Sequence, residues 1–446
     1  MPSLFFPSSS RFAKIVSLAL PIIGGMLSQN FLNLVDTLMV GKLGDQALAG
    51  VGIASFIHFL CTAFITGMGT GVQTTVSRRV GQGETSQAAV PLNGGLLLAW
   101  AIGLPLSLLL MSMTPFLVKL VAPAASVSLV AIPYLQMRFL GLVALAMNFS
   151  YRGYWNGVGK SRVYFRTIVV THITNVLLNY LLIFGKCGFP EMGATGAGLA
   201  SSLAFWVGTI FYLLQALALA RPQGFLQRLP SMASVRALFR LSLPTGVQQT
   251  AFAGGMTVFF AILARVGTAE VAASNVLVNL LLVVILPSIG FGLASATLVG
   301  QALGREEPAD ARLWGVQVAA VGLVMMAVLG AVGALVPRLL LAPFLVSPST
   351  LALAEAPLRL VAVGLPLDAV GIVLMHSMLG AGYAKRVMLI GVALQWGLQL
   401  PLVLLVALVF KWGLLAVWCA HLFYRMVQTA AFVFEWRRGH WQSAQV

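Results

Sequence analysis

The feature that most constrains the fold of this chain is the recurrence of strongly apolar segments about twenty residues long. A helix of that length crosses the hydrocarbon core of a bilayer, where every backbone polar group must be hydrogen-bonded within the protein. Twelve such segments are predicted as membrane-spanning helices, near residues 12–40, 48–76, 88–111, 129–149, 163–184, 194–219, 241–263, 271–299, 313–336, 351–375, 387–410 and 414–434. The sequence therefore predicts an all-α polytopic membrane protein.

Composition supports this class and argues against others. Of 446 residues, 59% are hydrophobic and only 9% are charged, whereas soluble domains carry about 25% charged residues. The formal net charge of +16 is spread in short clusters between apolar segments, so we expect no nucleic-acid partner. No small-residue cleavage site follows a short apolar core, so we expect the first segment to be retained. Three cysteines without metal-type spacing indicate neither disulfides nor a metal centre.

The basic residues predict the orientation. In a twelve-helix arrangement, eight of the 27 Lys and Arg residues fall on one side, which leaves nineteen, Arg425 among them, on the side that holds both termini. Cytoplasmic loops are enriched in Lys and Arg, so both termini are expected in the cytoplasm. We expect a multi-pass protein of the inner (plasma) membrane. The eight exceptions are Lys42, Lys119, Arg138, Lys186, Arg265, Arg338, Arg359 and Lys411.

The two halves of the chain repeat each other. Leu20-Pro21 matches Leu243-Pro244, and this offset of 223 (244 minus 21) also pairs Gly157 with Gly380 and Gly159 with Gly382. Because each half holds an even number of spans, the repeats are predicted to be parallel, as two pseudo-symmetric six-helix bundles. We expect an N-terminal lobe over 1–220, a cytoplasmic linker over 221–240, a C-terminal lobe over 241–436 and a tail over 437–446.

Asp36 is a carboxylate inside the first apolar segment. An ionisable group there costs about 2.5–3.5 kcal/mol on insertion scales and normally faces a bundle interior or a wet cavity, so a functional role is favoured. Asn33 and Gln29 precede it by three and seven residues, which places all three on one helix face. Those two amides serve equally well as hydrogen-bonding glue between helices.

A second polar stripe lies on the fifth segment, where His172, Asn175 and Asn179 share a face. Its amides and Asp36 suit either a dehydrated sodium ion or a proton-sharing network, and the residues alone leave both open. The tenth segment holds a second intramembrane carboxylate, Asp368. The offset gives neither acid an acidic counterpart in the other half.

Other polar residues in the spans are better explained by hydrogen bonds between helices. They are Gln248, Gln249, Asn275, Asn279, Gln395 and Gln399. No soluble segment is long enough for a nucleotide-binding domain, so the protein would draw energy from an ion gradient or use none. The clustered His, Asp or Ser groups of a membrane-embedded enzyme are not found, and we expect no catalytic activity and no cofactor.

Several motifs together resemble the multidrug and toxic compound extrusion (MATE) family, especially its NorM-like branch. They are Leu20-Pro21, the run Asn33-Leu34-Val35-Asp36-Thr37-Leu38-Met39-Val40-Gly41-Lys42-Leu43-Gly44 followed by Ala47-Leu48-Ala49, the run Gly153-Tyr154-Trp155-Asn156-Gly157-Val158-Gly159-Lys160, and the run Asn175-Val176-Leu177-Leu178-Asn179-Tyr180 with Gly193 to Gly198 after it. The resemblance covers nearly the whole chain.

This resemblance implies a twelve-helix antiporter whose two lobes open alternately and export organic cations in exchange for Na⁺ or H⁺. Asp36, Asn175 and Asn179 match the family's N-lobe cation or proton site, and Asp368 matches the acid of the tenth helix. The glutamate that NorM-like members carry in the seventh helix is Phe252 here, so the N-lobe site is favoured for coupling.

We further assign Gln29, Asn33 and His172 to substrate binding and expect a monomer in the lipid bilayer. The alternative is a lipid-linked precursor flippase or polysaccharide exporter of the same broad superfamily. That alternative requires a strongly basic cavity, whereas the sequence shows only acidic charges near the middle of the spans.

Overall fold

The structure, a computed structural model, describes residues 5–121, 124–345 and 347–444. Within these ranges the chain forms twelve long helices and no β-strand. They are α1 (Ser9–Gly41), α2 (Asp45–Gly81), α3 (Thr85–Val121), α4 (Ala125–Phe139 and Leu142–Gly157), α5 (Ser161–Phe184), α6 (Gly193–Leu219), α7 (Met232–Leu263), α8 (Thr268–Gly304), α9 (Pro308–Leu335), α10 (Pro348–Gly380), α11 (Ala384–Val409) and α12 (Gly413–Arg438).

Most of these helices are long and apolar enough to cross a membrane. Ten described helices meet that condition singly, and the two segments of α4, bent by 48° at their junction, make an eleventh span together. The 26-residue α12 is more polar because it carries His421, Arg425 and Gln428. Each of the twelve predicted segments thus corresponds to one long helix.

The internal repeat has a structural counterpart in two equivalent turns. After α4, the amide of Gly159 donates to the carbonyl of Asn156 at 2.9 Å; after α10, the amide of Gly382 donates to Leu379 at 3.0 Å. Gly159 and Gly382 have φ of 77° and 93°, a left-handed conformation in which glycine avoids the strain of a side chain. The sequence offset of 223 therefore relates matching local structures.

By their mutual contacts the residues divide into two compact units. The N-terminal unit is Gly24–Thr250; the C-terminal unit holds the residues up to Ile23 together with those from Ala251 onward. The divisions fall inside α1 and α7, shortly after Pro21 and Pro244, which are themselves equivalent in the repeat. The predicted linker over 221–240 lies within the N-terminal unit rather than at its edge.

Each unit has its own apolar core. Tyr151, Tyr154 and Trp155 are fully buried in the N-terminal unit, and Phe259 and Trp418 are buried in the C-terminal unit. Such aromatic side chains hold the helices that carry the polar residues described below in fixed registers.

Candidate functional site

The polar stripe of α1 lies in the N-terminal unit and is internally bonded. The Gln29 Nε2 donates to Asn33 Oδ1 at 3.2 Å, and the Thr37 hydroxyl donates to the Asn33 carbonyl at 2.8 Å. Gln29 and Asp36 are partly buried, whereas Asn33 is exposed. The predicted common face of the three residues is therefore a continuous polar strip along an apolar helix.

The stripe of α5 is buried and meets that of α1 at two levels. Asn179 donates through Nδ2 to Asp36 Oδ1 at 2.6 Å and to Asn175 Oδ1 at 3.1 Å. About two helical turns away, the imidazole of His172 lies between Gln29 Oε1, 3.1 Å from its Nε2, and Ser28 Oγ, 3.0 Å from its Nδ1. The two predicted stripes are thus joined by hydrogen bonds in two separate clusters, one at Asp36 and one at His172.

Oxygen atoms at the Asp36 end fit a hard cation. Asn179 Oδ1 is buried and has no hydrogen-bond partner among the described residues, although buried acceptors are nearly always satisfied. It lies on the side chain that binds the Asp36 carboxylate, and Asn175 Oδ1 follows on the next turn of α5. Amide and carboxylate oxygens are the ligands that Na⁺-like cations prefer, and a protonated Asp36 could also donate to such an acceptor.

Two residues of this site were missed from the sequence. Ser201 of α6 accepts from Asn175 Nδ2 at 3.2 Å and so fixes the orientation of that amide. Arg138, at the bend of α4, exerts a favourable Coulombic interaction on the Asp36 carboxylate and lies 3.3 Å from His58 Nδ1 through its Nη2. An arginine inside a predicted span was the available signal for Arg138, whereas a serine in a helix gives none.

Asp368 lies in the C-terminal unit and has a charged partner. Its Oδ1 accepts from Arg425 Nε of α12 at 2.9 Å, forming a largely buried ion pair. Arg425 also donates through Nη1 to Gln428 Oε1 at 2.7 Å, and Gln428 donates to the Tyr424 hydroxyl at 2.9 Å. A guanidinium therefore faces the carboxylate that was predicted to bind a cation.

Two predictions about Arg138 and Arg425 were wrong. Both residues were counted as charges that report orientation, and only acidic charges were predicted near the middle of the spans. Arg138 lies in the last turn before the bend of α4 and Arg425 at the middle of the 26-residue α12, so neither is a loop charge that reports orientation. The charges inside the spans are thus of both signs, and of these two arginines Arg425 forms an ion pair with an acid of its own unit.

The weaker polar candidates make local hydrogen bonds. Gln395 donates to the Phe252 carbonyl at 3.2 Å, and Gln399 lies 3.0 Å from His421 Nδ1, each bond joining two helices. Asn279 donates to Asn275 Oδ1 at 2.8 Å within α8. By the repeat offset, Gln395 corresponds to His172 and Phe252 to Gln29. The hydrogen bond between His172 and the Gln29 side chain thus has a counterpart in the C-terminal unit, where the acceptor is the Phe252 carbonyl.

The fold is that of solved twelve-helix transporters. It is similar to an outward-facing multidrug resistance MATE family transporter of the MOP superfamily, with a TM-score of 0.88 and 20% identity over 97% of this chain and 96% of that one. It is likewise similar to a MOP superfamily transporter from Pyrococcus furiosus Vc1, with a TM-score of 0.87 and 20% identity over 95% of each chain. The predicted twelve-helix, two-bundle fold class is confirmed.

The family follows from sequence. The MatE family model matches residues 21–181 and again 244–405, and the two matches begin 223 residues apart, the offset of the internal repeat. The chain belongs to the MatE family of membrane transporters, which confirms the resemblance.

Relatives over most of the chain are probable multidrug resistance proteins NorM. The protein from Thermotoga maritima is 24% identical over 91% of this chain and 88% of its own length, and that from Pseudomonas aeruginosa is 26% identical over 92% and 86%.

Proposed function

We propose that this protein is a secondary active multidrug efflux antiporter that exports organic cations in exchange for Na⁺ or H⁺. The observation that carries the proposal is the bond from Asn179 to Asp36, together with the unpaired, buried Oδ1 of the same amide. A carboxylate that faces neutral amides inside a span can accept a cation or a proton. The names of the NorM relatives support a multidrug substrate range, and the negative charge of Asp36 supports the preference for cations.

Coupling follows from linkage at that carboxylate. A coupling ion at Asp36, Asn175 and Asn179 neutralises the charge that would attract a cationic drug, so occupancy by one lowers the affinity for the other. Gln29, Asn33 and His172 continue the same strip and would contact the drug. Exchange then requires that the two lobes open alternately to the two sides, so that each ligand is released where the other is bound.

The decisive experiment is efflux of ethidium from everted vesicles, driven in turn by a sodium gradient and a pH gradient. Asp36→Asn removes the charge and is expected to reduce coupled efflux at least a hundredfold under either gradient. Asp45→Asn, at an exposed carboxylate outside the site, is the matched control and should transport normally. Efflux by Asp36→Asn at the wild-type rate contradicts the proposal; sodium-driven efflux alone identifies Asp36 as part of a sodium site, and proton-driven efflux alone as a protonation switch.

The second candidate is a flippase or exporter of lipid-linked anionic precursors, and the half-buried Arg138 and Arg425 are the observation in its favour. The antiporter is preferred because Arg425 is already ion-paired with Asp368 and Arg138 contacts the His58 imidazole, so neither guanidinium is reserved for an anionic headgroup. Lack of ethidium efflux under both gradients, combined with binding of a polyprenyl diphosphate, would reverse this preference.

The chain is a multi-pass membrane protein. We propose that it acts as a monomer in the inner membrane with both termini in the cytoplasm. The positive-inside bias supports the orientation.

A further inference from the structure

An apolar groove of about 510 Å³ lies on the N-terminal unit, apart from the Asp36 network. One wall is the first part of α3, from Asn93 to Trp100, and another is the last part of α6, from Trp206 to Leu213. Each wall spans seven residue steps, about 10 Å along its helix. The tilted ring pair Trp100–Trp206, with centroids 6.0 Å apart, marks one end, and the segment 225–230 closes the other.

The closing segment is held by one buried side chain. Asn93 donates through Nδ2 to the carbonyls of Gly224, at 3.0 Å, and Arg228, at 2.9 Å, and its Oδ1 accepts from the amide of Leu226 at 3.1 Å. Leu226 is thereby held at a φ of 53°, a conformation that residues with a Cβ rarely adopt. Three hydrogen bonds therefore hold an unfavourable backbone conformation in place, so the end of the groove is structurally defined.

The segment 225–230, held by Asn93, exposes both apolar and basic side chains. Leu226 and Leu229 are 62% and 93% exposed, and Arg228, which lies between them in the sequence, is also exposed. The stretch 221–240 holds four arginines and no acid. Inside the groove, the fully buried Tyr151 lines the wall, and its hydroxyl has no hydrogen-bond partner among the described residues.

We propose that the groove binds one anionic phospholipid, with an acyl chain between α3 and α6 and the phosphate at Arg228. The apolar walls match the chain, and the acid-free basic segment matches the headgroup charge. Basic pockets at the ends of membrane helices recognise anionic lipids in this way, and an arginine placed at the headgroup strengthens such binding by about 1 kcal/mol. The proposal does not rest on the transport function above.

Native mass spectrometry of the purified protein in detergent, titrated with phosphatidylglycerol or phosphatidylcholine, tests the proposal. The wild type is expected to retain one phosphatidylglycerol in preference to phosphatidylcholine. Arg228→Gln should weaken phosphatidylglycerol binding about fivefold, the equivalent of about 1 kcal/mol, and leave phosphatidylcholine unchanged. Arg236→Gln, an exposed arginine of the same stretch that does not line the groove, is the matched control and should bind normally.

A second variant tests the chain-binding wall separately. Ile210 is more than half exposed and lines the groove, so Ile210→Trp fills it without disturbing the core and should reduce retention of the lipid. Equal weakening by Arg228→Gln and Arg236→Gln, or full retention by Ile210→Trp, would overturn the proposal. So would displacement of the lipid by inorganic phosphate or by ethidium, which would assign the groove to a free anion or to cargo. Asp36→Asn should retain the lipid normally, so failure of the transport proposal is distinguishable.

Discussion

The carboxylates of Asp36 and Asp368 have opposite kinds of partner. Asp36 accepts a hydrogen bond from a neutral amide, whereas Asp368 accepts one from a guanidinium. A cation can bind at Asp36 without displacing a positive charge, but at Asp368 it must compete with Arg425. Burial makes that competition unfavourable, because an arginine that loses its acid would remain as an uncompensated charge. We therefore expect Asp368 to contribute chiefly to the stability of the C-terminal unit.

Single and double variants of this pair test that expectation. Asp368→Asn or Arg425→Gln alone should each lower stability by about 3–5 kcal/mol, because each leaves a buried charge unpaired. The double variant should recover much of the loss, since both charges are gone. Melting of the detergent-purified proteins, followed by tryptophan fluorescence, measures the difference. Additive losses in the double variant, or increased cation binding to Arg425→Gln, would instead support a cation site at Asp368.

The same residues show what the sequence can predict at this scale. The α1 and α5 stripes were predictable because residues three, four and seven apart must share a helix face. The ion pair was not, because Arg425 is 57 residues from Asp368 and nothing local specifies which helix α12 contacts. Arg138 and Arg425 were taken as loop charges although each lies within a predicted span. Applying the rule that identified Asp36 to cations as well as anions would have found both.

At the scale of helices, two equivalent glycines allow close contacts. A Cβ on Gly157 of α4 would lie 2.9 Å from Val76 Cβ and 3.0 Å from the Gln73 carbonyl oxygen, both on α2. A Cβ on Gly380 of α10 would meet backbone atoms of Ala296 on α8, with Cα at 2.5 Å. Residues 73 and 296 differ by the repeat offset, so the same helix contact is made in each unit. Small residues serve this purpose in membrane helix packing.

Alanine at these positions should therefore separate helices. Gly157→Ala and Gly380→Ala are each expected to cost about 1–3 kcal/mol, as overpacking does, with the larger effect at Gly380, where the neighbour is backbone and cannot rotate away. Gly52→Ala in α2 is the control, because a Cβ there has no neighbour within 4 Å. Thermal melting in detergent compares the three variants. An unchanged melting temperature of Gly380→Ala would show that the contact between α8 and α10 has room for a methyl group, against this prediction.

Helix positions were predictable further than helix shapes. Hydropathy located all twelve segments because lipid imposes length and apolarity on each. It gave no indication of the 48° bend in α4, which falls between Phe139 and Leu142. The division of the chain inside α1 and α7 was also missed, since a continuous apolar helix carries no sign that its two ends belong to different units.

For the whole molecule, the testable property is orientation in the membrane. Removing Arg138 and Arg425 from the charge count, because both lie within helices of the spans, leaves eighteen basic residues on the predicted cytoplasmic side and seven on the other. The bias is retained, and it predicts that the acid-free stretch 221–240, with Arg228, lies at the cytoplasmic leaflet, whose anionic lipids attract basic segments. The lipid groove and the orientation thus depend on the same asymmetry.

Cysteine labelling measures this orientation directly. Cys187 is exposed between α5 and α6, and Ser231 is exposed beyond the opposite end of α6. With Cys61 and Cys419 replaced by alanine, a membrane-impermeant maleimide should label Cys187 in intact cells. In a background that also carries Cys187→Ala, the Ser231→Cys variant should be labelled only after the membrane is permeabilised. The reverse pattern would place both termini outside and the groove at Arg228 in the outer leaflet. Both results would contradict the orientation that the charge bias predicts.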